Sequence, residues 1–233
     1  MADEIHLSRN ELWALLVKVF EALFGHRRDY YDMARTVLWL ECHDHKGVKQ
    51  LVKSLPVLEN GSLPEPTLAV ISDTHLVIDG GGRSLLDLGP SLSDLAIACA
   101  SENDIARTDI FNVRSSLALP VALPFIARQG FHGVAMGPHT VSMISPRQDC
   151  PIVFSQSRKG QLSLICMRDS INISEYVDDE RFVLKTVETQ MEFFSSSLEN
   201  GINILTSEFE ALKNVAANIL VEATEASRRG AGE

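Results

Sequence analysis

No stretch of this 233-residue chain stays apolar for the ~20 residues that a membrane span requires, so no spanning helix is expected. Its four cysteines, Cys42, Cys99, Cys150 and Cys166, are far apart and never form C-x-x-C, which removes the common zinc and thiol-redox motifs. Basic residues are outnumbered by acidic ones, 21 to 31, for a net charge of -10. Nucleic acids and anionic membranes are held by accumulated cations, so neither is an expected partner. The spacings G-x-G-x-x-G, G-x-x-x-x-G-K and G-x-S-x-G are all missing, which argues against a dinucleotide fingerprint, a P-loop and a hydrolase elbow. Internal repeats and low-complexity segments are missing too. The acidic start, Met1-Ala2-Asp3-Glu4, lacks the basic and apolar parts of a signal peptide, and the expected location is the cytoplasm.

What remains is the composition of an ordinary globular protein, 45% hydrophobic and 22% charged. Ser8-Arg9-Asn10-Glu11 has capping-box spacing, and Leu12, Leu15, Leu16, Val19, Phe20 and Leu23 follow at helical period, which predicts a helix over 9–24. Further helices are expected from Asp29 to Cys42 and from Gly47 until Pro56 ends the turn. Residues 56–66, with Asn60-Gly61, read as a connector. Branched apolar runs predict strands at 68–71, 75–78, 109–113, 134–136, 140–144, 152–155, 162–167 and 182–187, and 202–204 reads as extended. The Ser157-Arg158-Lys159-Gly160 turn predicts that 152–155 and 162–167 form a hairpin. Helices are expected from Ser91, from Thr189 as cap, and from Ser207 to about Val221. Pro120 and Pro124 predict a broken helix over 117–128. The reading is α+β, with a mixed or mostly antiparallel sheet, an N-terminal helical segment and a C-terminal amphipathic helix. A single domain over 1–233 is expected, with the helical segment at 1–55 and an α+β body at 67–233.

Candidate functional residues concentrate at the end of the chain. Thr224, Glu225, Ser227, Arg228, Gly230 and Gly232 combine hydroxyls, an acid, a guanidinium and glycine backbone, a set suited to closing over an anionic ligand. The alternative is a helix cap with a frayed end. Arg114, ahead of Ser115-Ser116 at a strand-to-helix junction, joins the candidate ligand contacts. The Gly80-Gly81-Gly82-Arg83 run offers amides for a phosphate, but it reads first as a flexible turn with no helix directly after it. His43-Asp44-His45 has metal-ligand residue types at a helix end, yet alternate side chains diverge there, so no metal is expected and the helix end reads as solvated. His75, His132 and His139 are isolated and read as structural. No catalytic residue and no cofactor declares itself.

Two resemblances follow. Val37-Leu38-Trp39-Leu40, Leu119-Pro120-Val121-Ala122-Leu123-Pro124-Phe125 and Ala223-Thr224-Glu225-Ala226-Ser227-Arg228 with Gly230-Ala231-Gly232 resemble a bacterial family designated domain of unknown function 3726, a likeness that implies no particular activity. Residues 8–136 are similar, more faintly, to the non-Rossmann malate and lactate dehydrogenases. Those enzymes carry H-G-V-x-R after the second helix, where this chain has Lys46-Gly47-Val48-Lys49-Gln50. They carry N-H-F-G after a central strand, where this chain has Arg114-Ser115-Ser116-Leu117. Both histidines expected at catalytic positions are absent, so hydride transfer by that family's mechanism is not expected. The leading expectation is a cytoplasmic binder of a small anionic metabolite, or a non-classical enzyme acting on one. The alternatives are a non-catalytic partner subunit, with a protein partner or homo-oligomer, and an NAD(P)H-dependent oxidoreductase of the malate/lactate dehydrogenase type.

Overall fold

The computed structural model describes residues 3–25, 30–59, 63–156, 161–177 and 182–230. Asp29, the Asn60-Gly61 turn, the Ser157-Arg158-Lys159-Gly160 turn and Gly232 lie outside the described residues. The chain forms two compact units, Met1–Leu55 with Phe194–Glu233, and Pro56–Phe193.

In the first unit, β1 (Glu4–Leu7) pairs antiparallel with β10 (Ile202–Leu205), two short strands far apart in the chain. Helix α1 (Arg9–Phe24) starts at the expected capping box: Ser8 Oγ accepts from Glu11 N, and Glu11 returns the bond to Ser8 N. It packs against α2 (Tyr30–Cys42) and α7 (Thr206–Gly230). Leu12, Leu16, Val19 and Phe20 recur at helical spacing and are fully buried, as are Val37 and Leu212. Helix α3 (Gly47–Leu58) contains Pro56 in its last turn instead of stopping there. The ring's fixed φ is helical, and near a helix end only one interior bond is lost.

The second unit holds an eight-stranded mixed sheet. Its strands are β2 (Thr67–Ser72), β3 (His75–Asp79), β4 (Ile105–Phe111), β5 (His132–Met136), β6 (Thr140–Ile144), β7 (Ile152–Ser155), β8 (Leu162–Met167) and β9 (Val183–Lys185), in the order β2-β3-β4-β8-β5-β6-β7-β9. Among the described strands of this sheet, β3 and β4 pair in parallel and the other ladders are antiparallel. A parallel pair needs a crossover, and α4 (Leu85–Asn103) supplies it. This helix begins at the Ser84 cap, before the expected Ser91, and carries Pro90 inside. The proposed 152–155/162–167 hairpin is not formed: β8 lies between β4 and β5, while β7 pairs with β6 and β9. All six residues of β8 are buried, which suits a central strand and not an edge hairpin.

The broken helix over 117–128 is a 3-10 segment, Ser116–Val121, followed by α5 (Ala122–Arg128). Helices α4 and α5 pack against each other, α4 also against β4 and α5 against β5. Val134, Val141, Met143, Phe154, Ile165 and Met167 form a further buried cluster with Val177. Helix α6 (Val187–Glu199) is capped by Thr186, whose hydroxyl accepts from Thr189 N, so Thr189 lies inside the helix it was expected to cap. Among the described residues, no helix is long and apolar enough to cross a membrane.

Candidate functional site

The first chemically unusual place is the corner joining α2 to α3. Lys46 directly precedes α3, a position where a short polar acceptor normally caps the first amides and the backbone is extended. Lysine has no acceptor, and Lys46 has φ 54, in the left-handed region; Asp44 has φ 61. The missing cap comes from α2: the buried Glu41 carboxylate accepts from Val48 N at 2.8 Å. Burial pushes the Glu41 carboxyl above its ordinary range, and the Val48 bond and the Lys46 charge offset that only in part. Lys46 Nζ lies 2.6 Å from Asp44 Oδ1, and that bond raises the ammonium above the usual lysine value. Gly47 fits because it has no side chain, since a Cβ there would fall 2.2 Å from the Val37 carbonyl oxygen. Gln50 Nε2 donates to His45 O, and its buried Oε1 has no partner among the described residues.

His43 and His45 are not a solvated helix end. The His43 ring is buried, stacked on Trp39 at 4.3 Å and on Phe194 at 5.1 Å, with Nδ1 on the Trp39 carbonyl at 2.7 Å. His45 stacks on Trp39 at 5.5 Å. No group able to hold a metal ion occurs among the described residues.

The second place is a polar cluster on the sheet. Asp109 of β4 is buried, yet Ser163 Oγ of β8 donates to its Oδ1 at 2.6 Å, Arg107 Nε donates to the same oxygen at 2.9 Å, and His75 Nε2 of β3 meets its Oδ2 at 2.9 Å. Burial raises the Asp109 carboxyl, but these three donors outweigh it and hold the group below the ordinary range. Register sets the geometry: Arg107 stands opposite His75 on one side and Ile165 on the other, and Asp109 stands opposite Ser163. His75, isolated in sequence, is therefore hydrogen-bonded into a cluster in the fold. Arg107 and Asp109 are two residues apart on β4, but His75 and Ser163 reach them only through the pairing of three strands, which nothing local marks.

The glycine run is a closed turn. Gly80 N donates to Phe111 O, Gly81 N to Asp79 Oδ1, Gly82 N to Asn112 O and Arg83 N to Gly80 O. Its amides are thus already used, although α4 does begin shortly after it. The Arg83 side chain is held by Pro64 O, Glu65 and Asp87. Arg114 follows β4, forms a backbone bridge with Ser84, is exposed, and makes no ion pair among the described residues. An exposed arginine can pair with a phosphate or a carboxylate, whereas the glycine amides are already bonded. Burial pushes the Cys166 thiol up to about 12 and the Cys150 thiol up to about 11, which leaves neither a ready nucleophile.

The terminal stretch does not leave α7 at Val221. The helix backbone continues to Gly230, placing Thr224, Glu225, Ser227, Arg228 and Gly230 on it, with their side chains, like Gly232, outside the described residues. Alanine, glutamate and arginine are good helix formers, and the paired glycines come too late to stop it earlier.

No family profile and no curated protein sequence matches this chain. Solved structures match along nearly its whole length. Malate dehydrogenase from Pyrococcus horikoshii OT3 has a TM-score of 0.68 at 12% identity, covering 94% of this chain and 97% of that one. A dehydrogenase from Sinorhizobium meliloti has a TM-score of 0.70 at 12% identity, with 92% and 100% covered. Sulfolactate dehydrogenase from Methanocaldococcus jannaschii has 0.67 at 10%, with 91% and 97% covered. The chain thus has the fold of the malate/lactate-type dehydrogenases, at identities that establish fold alone.

Proposed function

We propose that this chain is an oxidoreductase that reduces a small 2-oxo carboxylate to the 2-hydroxy acid with a nicotinamide cofactor. The observation that carries the reading is the α2–α3 corner: Lys46, at the motif's histidine position, is held in a left-handed backbone by a borrowed cap and a glycine contact. Strain of this kind is kept where surrounding contacts over-determine it, and it gathers at functional positions. The fold neighbours named for malate and sulfolactate support the same substrate class.

When bound, a nicotinamide cofactor would supply the hydride; Arg114 is, by itself, a proposed contact for an anionic ligand. The Lys46 ammonium polarises the substrate carbonyl and stabilises charge developing on its oxygen. As the C–H bond forms at C2, an N–H bond of Lys46 breaks and its proton completes the hydroxyl; solvent then restores the ammonium. An alkoxide is far more basic than an amine, so the raised lysine value does not block this direction. The orphan Gln50 Oε1 is an acceptor for a donor on the ligand. Thr224, Glu225, Ser227, Arg228, Gly230 and Gly232 remain proposed contacts for an anionic ligand, and Arg228→Ala tests them: ligand affinity unchanged by the substitution removes that site.

The main test is consumption of NADH or NADPH with a panel of 2-oxo acids, in wild type and Lys46→Met. Turnover in wild type, reduced at least about tenfold in the variant with its fold intact, is the expected result. Equal turnover in the two proteins would reject Lys46. Ligand binding without turnover would leave the second reading, a carboxylate binder on a dehydrogenase scaffold, which the Asp44 lock on Lys46 favours.

A further inference from the structure

The polar cluster on the sheet has an unused side. Arg107 spends Nε on Asp109, which fixes the plane of its guanidinium, and its two terminal nitrogens have no partner among the described residues. The side chain is 47% exposed. His75 is oriented by the same carboxylate and is 33% exposed. An ionised carboxylate only accepts, so His75 Nε2 carries the hydrogen and, in the neutral ring, Nδ1 is left as an acceptor. Nδ1 also has no partner among the described residues. The two residues are cross-strand neighbours on β3 and β4, and Ser163, fully buried, braces their shared anchor from β8.

We infer that Arg107 and His75, anchored by Asp109, form a binding site for a small carboxylate bearing a hydroxyl next to its carboxyl group. The two guanidinium nitrogens match the two carboxylate oxygens in the forked geometry that arginine favours. The adjacent hydroxyl donates to His75 Nδ1, a bond that a plain carboxylate lacks. Asp109 offsets the arginine's charge, so the terminal nitrogens hold the anion by directed hydrogen bonds and not by net charge. This site uses no residue of the α2–α3 corner, and its test needs neither cofactor nor turnover.

The probes are glycolate and acetate, which differ by one hydroxyl, titrated into the full chain while imidazole and guanidinium NMR signals are followed. Wild type is expected to bind glycolate roughly three- to tenfold more tightly than acetate, the span of one net hydrogen bond, with the His75 Nδ1 signal moving only for glycolate. Arg107→Met should lose both ligands, and His75→Phe should bind both equally. Should either variant fail to fold, the wild-type preference and the His75 signal decide. Equal affinity for the two anions, no response at His75 and Arg107, or binding unchanged in a folded Arg107→Met would overturn the site.

Discussion

Glu41 in the first unit and Asp109 in the second are both buried carboxylates, and their environments push them in opposite directions. Glu41 has one amide donor, from Val48, and burial dominates. Asp109 has a hydroxyl, a guanidinium and an imidazole, and their bonds overcome burial. Burial alone therefore does not set the charge of an acid; the number and kind of its donors do. Glu41 does a backbone job, capping a helix whose own cap position is given to Lys46. Asp109 does a side-chain job, fixing the orientation of Arg107 and His75.

The comparison breaks most visibly at Asp109. Asp109→Ala leaves a buried hydroxyl and two oriented side chains without their acceptor, and should cost about 3 kcal/mol in chemical denaturation. A loss near zero would mean that the cluster is solvated and not built. Gly47→Ala tests the tightness of the other region: its Cβ would press on the Val37 carbonyl, and a destabilisation of about 2 kcal/mol is expected by thermal and urea melts.

Glu41→Gln sharpens the contrast by sign. The glutamine oxygen still accepts from Val48 N, while the buried charge is gone, so the variant should be more stable than wild type at pH 8 by on the order of 1 kcal/mol. The folded Glu41 carboxyl titrates above its unfolded value, so its favourable contribution is present in acid and lost as pH rises through the folded value; the gap to the variant should close as pH falls. Asp109 runs the other way: its folded value lies below the unfolded one, and its stabilisation is present above the unfolded value and lost as pH falls through the folded one. An Asp109→Asn variant should therefore show a deficit that shrinks in acid. Lys46→Met should change stability least, within about 0.5 kcal/mol, because the Asp44 pair is solvent-exposed.

Legibility in the sequence followed the range of the interactions. The Ser8–Glu11 capping box is complete within four residues, and α1 has its expected limits. The α+β class was readable from periodicity. Strand β1 was not, because four residues carry too little pattern and its partner β10 lies near the other end of the chain. The start of α4 was obscured by Pro90, which reads as a stop although Ser84 caps the helix upstream. Lys46 was visible as a departure from a motif, but its backbone strain and the Glu41 cap were not, since a cap borrowed from a preceding helix has no local signature. The Asp109 cluster depends on strand register, which places His75 34 residues and Ser163 54 residues from it in sequence.

Reduction of a 2-oxo acid can be followed atom by atom. With cofactor deuterated at the hydride-donating carbon of the nicotinamide, mass spectrometry of the product should find the label at C2 of the 2-hydroxy acid, and Lys46→Met should suppress its formation at least about tenfold. Product free of label, or no product from any 2-oxo acid with a folded protein and saturating cofactor, would contradict hydride transfer by this chain.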